Sequence, residues 1–241
     1  MTAAPDPSGG VFESVLVRDA LPLRLEAHLA RLAGSCQELY GRPLPDDLSG
    51  RVATAVRRAP GRAALRIEIR PAGDRLRMVL RVRGLPSRRS TYALVRLPRS
   101  PACWRHKWLD RAELEAAEMR ARQIRPDALP YFCAPDDTIA ETSRGNLFAR
   151  LGGVWRTPPA SDHLLPGVTR QAVVHLLRTA GPGVQVEPVP VAQFRAADAV
   201  IWTSSLSGAL PVVAVDGRAL DPPADLLAWL NSRLEVEDPA R

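Results

Sequence analysis

The chain has 241 residues, 46% of them hydrophobic and 24% charged, so it carries enough apolar material for one large domain or two smaller ones. No apolar run approaches the ~20 residues that span a bilayer, the first residues lack the pattern of a secretory leader, and three scattered cysteines (Cys36, Cys103, Cys133) exclude a disulfide framework or a Cys-x-x-Cys metal site; a cytoplasmic protein is expected. The net charge of +7 admits an arginine-rich nucleic-acid-binding module, but the arginines are spread along the whole chain and only 5% of residues are aromatic, which leaves little for base stacking.

Residues 1–10 are rich in Pro, Gly and Ser and read as loose. Val11 to Val17 reads as a strand, followed by a hairpin-like turn over Arg18–Pro22. From Leu23 to about Tyr40, apolar residues at Leu25, Leu29, Leu32 and Cys36 have helical spacing; His28, on this helix, reads as a packing residue. A second helix is expected from about Pro45 to Arg58, then strands at Ala64–Arg70, Leu76–Arg83 and Tyr92–Leu97, the first two joined by a tight turn at Pro71–Asp74. This first half reads as a small α/β layer with antiparallel strands. Pro98–Pro101 looks like a linker, and Asp110 to Arg125 a helix. A buried strand at Tyr131–Cys133 precedes a polar knot, Thr138 to Arg150, which leads into another strand; Gly152-Gly153 then turns the chain into Val154–Thr157. Leu165–Arg170 opens a helix over Gln171–Thr179, closed by Gly181-Pro182-Gly183. Strands at Val184–Pro190, Ala199–Thr203 and Val212–Val215, a hydroxyl-rich loop at Thr203–Gly208 and a helix at Asp225–Leu234 complete the reading.

Among 33 lysines and arginines, Lys107 is the only lysine. Arginine stays protonated in proteins, whereas an amine can lose its proton and attack a carbonyl. A lone lysine in a chain that otherwise uses arginine is therefore either a chance survivor on the surface or a Schiff-base nucleophile. Three other features bear on the choice. Pro166-Gly167-Val168-Thr169 sits where a helix begins, and the free N–H groups of a helix start form an anion site. Thr203-Ser204-Ser205 offers hydroxyl donors of the kind that hold phosphate oxygens. Glu141 lies in a polar stretch between apolar strands, where a carboxylate needs a partner. A Schiff-base lysine, a phosphate cradle and a carboxylate for a pyridinium nitrogen are what pyridoxal phosphate requires. Taken singly, the helix start reads equally as a cap and the serine loop as a turn.

The order of these parts resembles the class IV aminotransferase-like family, the pyridoxal-phosphate enzymes of fold type IV, which include branched-chain aminotransferases, D-amino acid transaminases and 4-amino-4-deoxychorismate lyases. The resemblance runs through Val11-Phe12-Glu13, Ala27 to Leu32, Lys107, Glu141 to Phe148, Leu165-Pro166-Gly167-Val168-Thr169-Arg170 and the loop before Leu210-Pro211-Val212. It implies an α/β (α+β) fold with a small N-terminal domain over 1–100 and a larger pseudo-barrel domain over 101–241, with the cofactor between them and a homodimer completing the pocket. It further implies that Lys107 carries the cofactor, Glu141 pairs with its pyridine nitrogen, and Arg31 clamps its phosphate. Gly167, Val168, Thr169, Ser204 and Ser205 complete the cradle, and Asn146 is structural.

Lys107-Trp108-Leu109-Asp110-Arg111 is similar to the Lys-His-Leu-Asn-Arg stretch of the lyases, and Ala112 stands where branched-chain enzymes carry a tyrosine. The resemblance thus points to a lyase that eliminates pyruvate to leave 4-aminobenzoate, for folate or a specialised pathway; transamination of a D- or branched-chain amino acid is the alternative. Ser14 either assists proton delivery to the leaving group or is a strand serine facing solvent. Arg70 either binds a substrate carboxylate or is a surface charge. In one respect the chain departs from the family: relatives carry a strand and a Gly-Asp-Gly-like turn where this one has Pro7-Ser8-Gly9-Gly10.

Overall fold

The structure, a computed structural model, describes residues 5–85, 90–98 and 104–236. The expected linker beyond Pro98 and Cys103 lie outside the described residues. The chain divides into two compact units, and the first takes in the opening part of the chain together with His106–Asp110.

In the first unit, a single 3-10 turn at Pro7–Gly9 leads into β1 (Val11–Arg18). Asp19 and Ala20, both at positive φ, make the two-residue turn to β2 (Leu21–Pro22), the left-handed geometry that suits a twisted hairpin. Helices α1 (Leu25–Tyr40) and α2 (Leu48–Val56) follow, the latter shorter at both ends than expected. Two long strands, β3 (Arg62–Ala72) and β4 (Arg75–Gly84), pair through Gly73-Asp74, with Gly73 supplying the positive φ. The sheet order is β2-β1-β3-β4 with every pair antiparallel. Val11, Val15 and Val17 of β1 alternate with Phe12, Ser14 and Leu16 on the other face. Complete burial of Val15, Val17, Leu65, Ile67 and Ile69 makes this sheet a hydrophobic wall, each such side chain contributing about 1.5–3 kcal/mol.

In the second unit, β5 (Tyr92–Arg96) does not extend the antiparallel layer expected for the first half. It lies between β12 and β6, parallel to both. Then come α3 (Ala112–Ile124), β6 (Ala128–Cys133), β7 (Ile139–Thr142), β8 (Asn146–Leu151), β9 (Val154–Thr157), α4 (Val168–Thr179), β10 (Gln185–Val186), α5 (Val191–Arg195), β11 (Ala199–Ser204), β12 (Gly208–Val215), β13 (Arg218–Ala219) and α6 (Ala224–Val236). The strand expected over Val184–Pro190 shrinks to β10, since Pro188 and Pro190 cannot donate to a ladder; Pro190 instead caps α5.

The order β10-β9-β8-β11-β12-β5-β6-β7, with β13 beside β12, makes one mixed sheet. Its two faces bury separate cores. Leu147, Ala149, Val200, Trp202, Val212 and Phe194 pack on one side, and Phe148, Ile201 and Trp155 meet α4 and α6 on the other. The period-2 alternation of β8 and β11 produces that split. Small residues (Ala93, Ala121, Ala128, Ala214) seat α3 closely on β5, β6 and β12. No helix among the described residues is long and apolar enough to cross a membrane.

Candidate functional site

Lys107 is fixed through its main chain. Its carbonyl accepts the Phe12 N–H at 2.8 Å, Leu109 N–H donates to the Gly10 carbonyl at 2.9 Å, and Val11 and Trp108 form an antiparallel bridge. The flanking side chains hold the segment from beneath. His106 is buried with Nδ1 3.0 Å from Ser35 Oγ of α1 and its ring edge-on to buried Trp108. Between these anchors Lys107 points the other way, with Nζ 4.9 Å from the centroid of the Phe12 ring. A half-buried amine beside an aromatic ring is a cation–π partner while protonated and a nucleophile once the proton leaves.

Behind β1 lies a buried triad that the sequence reading did not identify. Glu13 is 1% exposed and accepts Arg31 Nε at 2.7 Å, Arg31 Nη2 at 2.8 Å and His28 Nδ1 at 2.8 Å. Burial alone would raise the Glu13 carboxyl, but the Arg31 charge and the hydrogen bonds from His28 and Arg31 outweigh it and hold the group well below the usual carboxylate range. For His28, burial dominates; with help from the Arg31 and Lys107 charges and against the pull of Glu13, it lowers the imidazole pKa. His28 is therefore neutral at pH 7 and, because an ionised carboxylate only accepts, donates from Nδ1. It does pack, as expected, but as a hydrogen-bonded group. The fork geometry of the Glu13–Arg31 pair fixes the plane of the guanidinium that the family resemblance assigns to a phosphate. A glutamate in an otherwise apolar strand, opposite His-x-x-Arg on a helix, was the available signal.

Ser14 is half-buried, and strand alternation places it on the Phe12 face of β1. Arg70, in β3, has its side chain 54% exposed and Nη2 3.8 Å from Glu68. Lys107, Ser14, Arg31 and Arg70 all belong to the first unit; Glu141, Gly167, Val168, Thr169, Ser204 and Ser205 belong to the second.

In the second unit the polar knot resolves into β7, a turn and β8. Buried Glu141 ends up as the third residue of β7, and its Oε2 accepts Asn146 Nδ2 at 3.3 Å and Leu165 N–H at 3.2 Å. Asn146 Nδ2 also reaches the Leu165 carbonyl at 3.0 Å, so one amide ties the carboxylate to the segment entering α4. Thr142 Oγ1 accepts Trp202 Nε1 and the Gly145 N–H, which holds the turn in place.

Helix α4 begins one turn later, and its N-cap residue Gly167 provides no side-chain cap. A Cβ on Gly167 would stand 1.9 Å from Asn146 Oδ1, so only glycine lets the asparagine come this close. Thr169, 2% exposed, places Oγ1 3.4 Å from Ser205 Oγ, which sits in the turn between β11 and β12; Ser204 is the last residue of β11. An uncapped helix start with two hydroxyls converging on it suits a phosphate dianion. The neighbouring Arg170 is buried, donating to Thr157 Oγ1 and the Pro158 carbonyl, and burial lowers its pKa.

The turn after Glu141 is braced from α3. Glu118, 2% exposed, binds Arg144 and lies near Arg122 and Arg111, while Arg111 Nη2 donates to the Ser143 carbonyl at 2.8 Å. Burial would raise the Glu118 pKa, but Arg144 above all, with Ser143 and Arg111, outweighs that and lowers it.

Comparison with known proteins matches residues 10–215 to the model for amino-transferase class IV. The branched-chain-amino-acid aminotransferase of Escherichia coli is 34% identical over 79 residues, 33% of this chain and 26% of that protein, so the alignment spans about a quarter of the relative's length. A hypothetical aminotransferase from Mycobacterium tuberculosis in its PLP-bound form superposes with a TM-score of 0.85 at 26% identity, covering 99% of this chain and 95% of that one. The 4-amino-4-deoxychorismate lyase of Pseudomonas aeruginosa shares the fold, with a TM-score of 0.78 at 24% identity over 96% and 92% of the two chains.

Proposed function

This chain belongs to the amino-transferase class IV family of pyridoxal-phosphate-dependent enzymes with the type IV fold, and on that premise we propose that it is a lyase that eliminates pyruvate from 4-amino-4-deoxychorismate to give 4-aminobenzoate. Bound pyridoxal phosphate supplies an electron sink for the carbanion that such a reaction requires. In this reading Lys107 would hold the cofactor and move the substrate proton, and Glu141 would keep the pyridine nitrogen protonated. Arg31, Gly167, Val168, Thr169, Ser204 and Ser205 hold the phosphate. Ser14 delivers a proton to the leaving group and Arg70 meets a substrate carboxylate. The reading also carries a homodimer, a cytoplasmic location, a role in folate supply and a domain division of 1–100 and 101–241.

The observation that carries the lyase reading is the position of Ser14, two residues along β1 from Phe12 and on the same face, where Phe12 is the ring beside which Lys107 Nζ lies. A hydroxyl on the face of β1 that carries Phe12 is what a proton donor to the leaving group would need. Purified protein given aminodeoxychorismate should release pyruvate and 4-aminobenzoate in equal amounts; no pyruvate would end the proposal.

A second reading is transamination of a D- or branched-chain amino acid. It is favoured by the 34% identity to the E. coli branched-chain-amino-acid aminotransferase and predicts keto-acid exchange with some member of an amino-acid panel.

A further inference from the structure

Helix α6 reaches back to the start of β12 through one side chain. Asn231 Oδ1 accepts the Ala209 N–H at 2.9 Å, and Asn231 Nδ2 donates to the Ala209 carbonyl at 2.8 Å. One planar amide thus serves both polar groups of a single residue, the exchange that a facing residue makes in an antiparallel ladder. Ala209 is fully buried, so its N–H and carbonyl need partners from within the protein. Among the described residues, β5 joins β12 only from Val212 onward. At Ala209 the side chain does the work of the strand.

The fit around this amide is close. Gly208 has a φ of 71°, and a Cβ on it would stand 2.4 Å from Asn231 Oδ1. The left-handed backbone and the close approach both require glycine. Near Asn231 on the same helix, Leu227, Leu230 and Leu234 sink into the core that also takes Val173 and Leu177 of α4 and Ile201 of β11. The amide is therefore delivered from a base seated against α4.

What the clasp holds is one leg of a short loop. Ser204 pairs with Gly208, which leaves Ser205, Leu206 and Ser207 as a three-residue connection closed by the left-handed glycine. Ser205 carries the hydroxyl that meets Thr169 Oγ1 at the start of α4. The β11 leg of the loop is fixed by β8, where Thr203 opposes Asn146. The β12 leg is fixed by Asn231. The match to the family ends at residue 215, before α6 begins at Ala224, so the clasp lies outside the matched stretch.

We infer that Asn231 is a positioning residue for the phosphate seat: by clasping Ala209 it holds the Ser205 loop at the distance from α4 at which both hydroxyls meet one dianion. The inference rests on the reading of Thr169, Ser204 and Ser205 as a phosphate cradle. Asn231 itself touches no ligand. Its contribution is preorganisation, because a loop already in its bound shape loses less entropy when the anion arrives.

The test compares the affinities of cofactor-free protein for pyridoxal phosphate and for pyridoxal, both followed by absorbance. Their ratio isolates what the phosphate contributes. Asn231→Ala should lower that ratio about tenfold, the worth of one charge-assisted hydrogen bond, with pyridoxal affinity unchanged. Gly208→Ala, which displaces the amide from the other side, should do the same. Ser205→Ala should lower the ratio directly. An unchanged ratio in folded Asn231→Ala protein overturns the inference, and so does an equal loss of affinity for both ligands, which marks a merely structural residue. Should Asn231→Ala fail to fold, Gly208→Ala decides by the same criterion. A ratio that collapses in Ser205→Ala but not in Asn231→Ala refutes the clasp and leaves the cradle standing. A ratio near one in the unaltered protein refutes the cradle, and the clasp's role with it. If neither aldehyde binds, the proposed function fails, and calorimetry with inorganic phosphate on the same proteins decides whether Asn231 holds an anion seat.

Discussion

One edge of the Arg31 guanidinium is spent on Glu13, with Nε and Nη2 each donating to a different carboxylate oxygen. His28 completes the contact from the same helix. Removing the carboxylate leaves two buried donors facing each other, so Glu13→Ala should cost about 3–5 kcal/mol of unfolding free energy, read from urea denaturation.

The same triad sets an acid response in two stages. The His28 pKa is lowered in the folded protein, so as pH falls below its ordinary value of about 6.5 the unfolded chain takes up a proton that the folded one refuses, and stability declines. The Glu13 pKa is also lowered, so its contribution is fully present above its unfolded value near 4.3 and is lost as pH falls below that. Urea midpoints measured from pH 7.5 to 3 should show both declines, and Glu13→Gln should flatten the lower one.

Lys107→Arg keeps a positive charge over Phe12 but removes the amine. Borohydride should then fix no chromophore to the protein, and turnover on any substrate should fall by at least about a thousandfold. Retained covalent labelling in this variant would place the attachment elsewhere.

Gly167 is at an ordinary negative φ, so the Gly167→Ala penalty is purely steric: the methyl must displace Asn146 from its contacts with Glu141 and Leu165. A loss of about 1–3 kcal/mol in stability is expected. Cofactor affinity, followed by dialysis and absorbance, should weaken about tenfold or more because Glu141 and the α4 start shift together. Ala at position 169 tests less, since it removes only one hydroxyl.

Ser14→Ala separates the two readings of the reaction. If Ser14 supplies a proton to the leaving group, pyruvate release should fall by about a hundredfold while any amino-acid transamination persists. An equal fall in both activities, or in neither, argues against the assigned role.

Much of this was legible from the chain. Helix spacing located α1, α3 and α4 to within a few residues, and the lone lysine marked a position that the structure pins from both sides. What was not legible depended on distant partners. Glu141 reads as part of a polar knot because β6, the strand that pairs with β7, and the Leu165 and Asn146 groups that bind its carboxylate lie apart from it in the sequence. Tyr92 to Arg96 has ordinary strand character, and nothing local says that its neighbours will be β6 and β12. Glu13 was passed over because a carboxylate in an apolar strand reveals its role only once α1 brings His28 and Arg31 against it.

The segment around Lys107 has a second consequence. Strand β2 pairs with β1 at Val17 and Arg18 and the Leu16 carbonyl accepts the Leu23 N–H, which leaves Val11–Val15 on that side of β1 as a sheet edge. The Phe12 N–H on this edge is occupied by the Lys107 carbonyl and the Gly10 carbonyl by the Leu109 N–H. A nascent or truncated chain that ends before residue 104 would present those groups, and the apolar strand behind them, to any other chain in solution, an invitation to intermolecular β-pairing. The residues that deliver the amine therefore also cover part of an edge that would otherwise be open to such pairing.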